Sequence, residues 1–262
     1  MPAFQSTEQM LATSQGNIFV KTWQPTSSDQ PKQIPILLFH DSLGCVQLWR
    51  DFPEHLCMAT QRTVIAYDRL GFGKSDAVTS PLAMDFIAQE AQVFAELLQL
   101  LAIPQVINLG HSVGGGMALS CAAQYPTLCS VVITEAAQSF VEEKTLAGIR
   151  AAKQGFQHPE QLQRLAKYHG DKAQWVLDAW TETWLAPVFR SWNLDAELAV
   201  LQGELLVIHG EHDEYATLEQ PKRLAQYTNA ELHIIAACGH VPHKEQPQQI
   251  IDLVQQFLAA FA

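Results

Sequence analysis

The chain has 262 residues, 48% hydrophobic and 16% charged, a balance that excludes a disordered polymer and allows a large buried core in one domain. Its formal net charge is −11, from 27 acidic against 16 basic residues. That acidity speaks against a nucleic-acid partner, which needs a basic face to replace phosphate counterions, and against adhesion to an anionic membrane. The start, MPAFQSTEQM, has neither the basic residues nor the apolar run of a signal peptide, and no stretch approaches the roughly 18 apolar residues of a membrane span. Cysteines 45, 57, 121, 129 and 238 form no C-x-x-C pair and are odd in number, which points to reduced thiols in a cytoplasm.

No internal repeat or low-complexity tract interrupts the chain. An N-terminal hairpin is followed by a polar, proline-bearing loop at 22–33. Beyond it, strands are predicted at 34–40 (IPILLFH), 63–68 (TVIAYD), 106–110 (VINLG), 131–135 (VVITE), 205–210 (LLVIHG) and 231–236 (ELHIIA). Most are continuously apolar, as strands covered on both faces are, so they belong to a mostly parallel, doubly wound α/β sheet. Helical spacing occupies 49–59, 84–101, 113–124, 218–227 and 247–260, with Pro104 and Pro126 just past two helix ends. The alternation stops at 137–200, which reads as several helices rich in tryptophan (175, 180, 184, 192). About sixty residues far exceed an ordinary strand-to-helix connection. Residues 1–136 and 201–262 are therefore read as a core, and 137–200 as a helical lid. It leaves the carboxyl end of a strand, the edge where open α/β sheets bind ligands.

Residues 110–114, Gly-His-Ser-Val-Gly, form a G-x-S-x-G pentapeptide between an apolar strand and a small-residue helix. A sharp turn there would lift the Ser112 hydroxyl off the sheet and aim the N–H of Val113 at a developing oxyanion. Serine needs a base, and of ten histidines His240 is the best placed, in the turn ACGHVPHKEQP after the last strand and beside Gly239. His243 is its rival. His111, His209 and His233 lie in strands or at strand ends and read as structural; His158 and His169 read as solvated lid residues. The base needs a carboxylate to fix its tautomer, and the turn EHDEYA offers Asp213 about three residues past a strand tip. Glu135, at the tip of the preceding strand, stays open as the alternative acid. A second oxyanion donor is expected from the N–H of Ser42 in HDSLG (40–44), unless that segment is only a turn. His240, His243 and Glu245 lack a third ligand of fixed spacing, so no metal is expected, and no cofactor is implied.

These segments resemble the α/β-hydrolase superfamily, of the serine-nucleophile esterase and carbon–carbon hydrolase type, over nearly the whole chain. HDSLG resembles its H-G-x-x-G oxyanion loop, YDRLGFGKSD (67–76) its D-x-x-G-x-G-x-S turn, GHSVGG its nucleophile elbow, and GEHD with CGHVPHKEQP its acid and histidine segments. The resemblance implies Ser112, Asp213 and His240 as the triad, with oxyanion N–Hs from Ser42 and Val113. Asp41 departs from the pattern, standing where the family usually has glycine.

The expected activity is hydrolysis of a small carboxylic ester through an acyl-serine. The same residues would also serve carbon–carbon bond or acyl-carrier thioester hydrolysis, and a silent small-ligand receptor of this fold is the alternative of another class. The tryptophans of 137–200 read equally as pocket lining or as the lid's own core. Between 144 and 172 lie Lys144, Arg150, Lys153, Arg164, Lys167 and Lys172 against two acids. This stretch is read either as solvated helix faces or as a docking surface for an anionic or carrier-bound acyl group.

Overall fold

The computed structural model describes residues 4–26, 33–227 and 230–261. An antiparallel hairpin, β1 (Phe4–Thr13) and β2 (Gly16–Pro25), opens the chain. There follow β3 (Ile36–Phe39), α1 (Phe52–Thr60), β4 (Val64–Tyr67), α2 (Phe86–Leu100), β5 (Val106–His111), α3 (Val113–Gln124) and β6 (Cys129–Glu135). Four helices come next: α4 (Glu143–Gly155), α5 (Pro159–His169), α6 (Ala173–Leu185) and α7 (Asp195–Val200). The chain closes with β7 (Glu204–Gly210), α8 (Glu219–Tyr227), β8 (Glu231–Ile235), the short α9 (Pro242–Glu245) and α10 (Pro247–Leu258).

The strands make one eight-stranded sheet in the order β1-β2-β4-β3-β5-β6-β7-β8. β2 meets β4 antiparallel, and from β4 to β8 every pairing is parallel. The expected loop at 22–33 starts later than its polarity suggests. Residues 22–25 continue β2, because Trp23 pairs with Val64 and buries its ring in the core, while 27–32 lie outside the described residues.

The parallel strands sort their side chains by period two. Leu37, Phe39, Ile65, Tyr67, Val132, Leu205 and Val207 pack beneath α2 and α3; Ile36, Leu38, Val64, Ala66, Ile133, Leu206 and Ile208 pack beneath α1 and α10. Both faces are thus covered, which is why the strands read as unbroken apolar runs. All five cysteines are buried, four of them in these layers and Cys45 in the loop after β3, and none is in a disulfide.

Register matters most at the carboxyl edge. Phe39 lies opposite Gly110, His111 opposite Glu135, and Gly210 opposite Ile235, so the tips of β3, β5, β6, β7 and β8 line up. At the tip of β5 the chain turns into α3 through Ser112, whose φ of 57° and ψ of −124° are values L-residues rarely adopt. Glycine is required on either side. A Cβ on Gly110 would overlap the Gly114 carbonyl, and one on Gly114 would overlap the Phe39 carbonyl of β3. Gly114→Ala should therefore destabilise the chain by about 1–3 kcal/mol, as overpacking of a filled interior does. Urea unfolding checks this, and an unchanged midpoint would mean that α3 has room to move away from β3.

Candidate active site

Each strand tip delivers one polar residue to a common point. Ser112 follows β5, Asp213 follows β7 and His240 follows β8. His240 Nε2 lies 3.0 Å from Ser112 Oγ, while its Nδ1 lies 2.9 and 2.8 Å from the two oxygens of Asp213. Asp213 is buried, and one of its oxygens also accepts the Tyr215 N–H at 2.8 Å. Burial would raise its carboxyl, but the His240 bond and charge, His209 and the Tyr215 N–H together hold it below the usual carboxylate range. The histidine turn is fixed from outside by two more acids. Glu214 accepts the His240 N–H at 3.1 Å, and Glu245 accepts those of Gly239 and Val241 at 2.7 and 3.1 Å.

The rival histidine and the rival acid find each other. His243 Nδ1 is 2.7 Å from Glu135 Oε2, both are buried, and Trp49 lies against the imidazole with ring centres 4.7 Å apart. Neither side chain bonds the Ser112 hydroxyl, although the Glu135 backbone carbonyl accepts the Ser112 N–H at 2.8 Å. Ser42 and Val113 both lie close to the serine. Val113 is the first residue of α3, so its N–H has no carbonyl a turn earlier to bond. Ser42 sits in the loop after β3 and lines the same cavity as Ser112 and His240.

That cavity, of about 150 Å³, is also lined by Gln138, Thr145, Ile149, Trp180, Trp184 and Tyr215. Gln138 Oε1 lies 3.5 Å from Ser112 Oγ. Sequence reasoning passed over Gln138 and Tyr215; the first stands three residues past the tip of β6 and the second five past that of β7, and that position was the available signal. The tryptophans divide between the two expected roles. Trp180 and Trp184 line the cavity; Trp175 packs on Phe72, and Trp192 packs on Trp184 and Phe189.

One expectation fails outright. His169 is not solvated but buried at the end of α5, where its Nδ1 accepts the Gly73 N–H at 2.9 Å and its Nε2 donates to the Leu43 carbonyl at 3.0 Å. The helices α4–α6 are tied to the sheet edge at further points. Lys144 donates to the Ala216 carbonyl, Thr145 to that of Tyr215, and Lys172 to those of Phe72 and Ser75. Within the basic stretch Arg150 pairs with Glu143 at 2.6 Å and Lys153 with Glu182, while Arg164 and Lys167 are exposed.

The sequence profile of the alpha/beta hydrolase family matches residues 36–253. The chain belongs to this family and is a hydrolase. It is similar to 2-hydroxymuconate semialdehyde hydrolase of Pseudomonas sp. (strain CF600), with 28% identity over 260 residues covering 88% of this chain and 89% of that one. Two solved structures share its fold. One is 2-hydroxy-6-oxo-6-phenylhexa-2,4-dienoate hydrolase from Rhodococcus sp. strain RHA1, with TM-score 0.76, 17% identity, and 97% and 98% of the two chains covered. The other is a thermophilic esterase from Thermogutta terrifontis, with TM-score 0.72, 20% identity and 98% of each chain.

Buried imidazoles set the pH response of the edge. His40, His169, His209 and His243 are all held below the ordinary value of 6.5 chiefly by burial, His209 down to about 4. The unfolded chain takes up these protons near pH 6.5 and the folded one only at lower pH. Stability contributed this way is full above 6.5 and lost as pH falls through the folded values. The melting temperature should drop progressively between pH 6.5 and 4, and His209→Asn should flatten part of that slope. A melting temperature independent of pH across the window would contradict the burial of these neutral rings.

Proposed function

We propose that the chain is a serine esterase acting on small, uncharged carboxylic esters. One observation carries the reading: the unbroken path from Asp213 through His240 to Ser112 Oγ, ending in a cavity. In this mechanism Oγ attacks the ester carbonyl carbon as its proton passes to His240 Nε2. The N–Hs of Ser42 and Val113 receive the oxygen as it becomes negative. Asp213 accepts the Nδ1–H throughout and stabilises the imidazolium, without itself taking the proton. The imidazolium then protonates the departing alkoxide, leaving an acyl-Ser112. Water, giving its proton to His240, attacks that acyl group by the reverse sequence and restores the hydroxyl. Helices α4–α7 serve as the lid, with Thr145, Ile149, Trp180 and Trp184 supplying its inner surface. Five unpaired thiols suit work in a reducing, cytoplasmic setting.

The lining supports an uncharged acyl group. Asp41 is its one acidic residue, no lysine or arginine is among the described lining residues, and a carboxylate entering it would meet no cation. Carbon–carbon bond hydrolysis is the second reading, favoured by the Pseudomonas and Rhodococcus relatives, whose names denote carboxylate-bearing substrates. The same serine and histidine would serve it.

A chain-length series of p-nitrophenyl esters, set beside 2-hydroxymuconate semialdehyde, separates the two. The first reading expects short neutral esters to give the higher kcat/KM; the reverse order would assign the enzyme to carbon–carbon cleavage. Ser112→Ala should lower kcat by about 10⁴–10⁶ on the preferred substrate and leave the melting temperature nearly unchanged. More than a tenth of the rate remaining would remove Ser112 from the mechanism. Asp213→Asn should cost about 10³–10⁴ through the wrong histidine tautomer, while Glu135→Gln costs less than about tenfold. The opposite ranking would move the acid to Glu135.

A further inference from the structure

The five-residue loop that carries Ser42 is fastened with unusual density, and most fastenings end on Asp41. Its carbonyl accepts from Arg69 Nη2 at 2.9 Å, His40 Nδ1 at 2.8 Å and the Gly44 N–H at 3.2 Å. Its Oδ1 accepts the Leu43 N–H at 3.0 Å. Its Oδ2 lies 3.3 Å from Nδ1 of His111, the residue just before Ser112. The opposite nitrogen of that ring, Nε2, lies 2.7 Å from the His240 carbonyl. One buried imidazole thus spans the oxyanion loop, the nucleophile elbow and the histidine turn.

The acceptors around this ring, a hydrogen-bonded carbonyl at Nε2 and a carboxylate at ion-pair distance from Nδ1, point to its proton count. A neutral imidazole has one N–H and one lone pair, and a lone pair cannot satisfy a carboxylate or a carbonyl. His40 and His169 show the neutral arrangement, each accepting one backbone N–H (from Arg69 and Gly73) and donating to one carbonyl. His111 faces acceptors at both nitrogens. We propose that His111 is a positioning residue, a buried imidazolium that straps Asp41 to the His240 carbonyl and so holds the Ser42 N–H in its oxyanion-binding aim. The inference rests on the esterase reading for the role of Ser42.

The surroundings agree. The ionisable groups around His111 are Asp41 on the β3 loop, Glu135 at the tip of β6, His240 in its turn and His243 on α9; Lys244 acts on Asp41 from beyond. Burial opposes the charge on His111, but Asp41, Glu135 and the His240 carbonyl outweigh it and raise its proton affinity above the ordinary imidazole. The same pairing holds the Asp41 carboxyl well below the carboxylate range, against its own burial. When His111 loses a proton, the shorter Nε2 contact keeps the remaining N–H. Nδ1 then turns a lone pair on the Asp41 carboxylate, and repulsion loosens the oxyanion loop while Asp213, His240 and Ser112 stay connected. The strap contributes stability below pH 6.5, and that contribution disappears as pH rises through the elevated folded value.

The test is Asp41→Asn, which keeps the side-chain size and removes the counter-charge. Three measurements go with it: the pH profile of kcat and KM on a neutral p-nitrophenyl ester, a ¹⁵N NMR titration of the His111 ring, and labelling of Ser112 by a fluorophosphonate. In the wild type, His111 should titrate above 6.5, and the alkaline limb of kcat should follow it. In the variant both should move down by about one to three pH units, the scale of a lost neighbouring charge, with KM little changed. His111→Asn should abolish that limb. A merely structural role would lower activity evenly across pH and leave the limb in place. An alkaline limb at its wild-type position in Asp41→Asn, or a His111 ring that titrates below 6.5 in the wild type, would overturn the strap. A wild type that takes no fluorophosphonate label would instead overturn the esterase reading, and the NMR titration would then decide the strap by itself.

Discussion

The start of α3 lies so close to the ends of β5 and β3 that positions 110 and 114 have no room for a side chain, and the active-site edge is arranged around that contact. With the helix held there, the chain can leave β5 only through a left-handed residue, which is Ser112. Such backbone costs on the order of 1–3 kcal/mol and persists only where the surroundings enforce it. Here the enforcing parts are a sheet and a helix buried on all sides. The same approach brings the loop after β3 alongside the elbow, so Ser42 and Val113, from distant parts of the chain, line one space.

Behind the edge, polar groups are sorted by what they face. Glu135 and His243 form a closed pair against Trp49 and are thereby withdrawn from the serine. Asp213 faces His240 through both oxygens and has His209 behind it, with Nε2 3.3 Å from Oδ2 but outside hydrogen-bond geometry. His40 and His169 receive backbone N–Hs and stay neutral. In a medium of low dielectric, an imidazole's protonation is set by whether its neighbours offer protons or lone pairs. That rule lets rings a few ångströms apart, such as those of His111 and His243, hold different proton counts.

The sheet was legible because its strands are covered on both faces and so carry unbroken apolar runs, while the helices beside them keep a 3.6-residue period. Strand tips could then be located, and Ser112, Asp213 and His240 follow from counting a few residues past three of them. The insertion was visible as a gap in that alternation. What sequence could not supply was the pairing of side chains across the edge. Glu135 and Asp213 are both acids near strand tips, and His240 and His243 are three residues apart; only three-dimensional register tells which acid meets which histidine. His169 was misread for the same reason. Its helix has a polar sequence, and nothing local announces that its last turn docks on Leu43 and Gly73. Asp41 stood out as a departure from the family's glycine, yet its partner, His111, is seventy residues away.

The five buried thiols make the molecule its own unfolding reporter. Burial pushes Cys45, Cys129 and Cys238 up to about 12 and Cys57 to about 11, and Cys121 is raised well above its ordinary value. Thiolate is the reactive species, so in the folded chain a disulfide dye finds almost none. Each cysteine sits on a different element: the loop after β3, α1, α3, β6 and the turn before His240. Reaction rates at the five positions would therefore record how often each element opens, giving a site-resolved clock of local breathing without an added label.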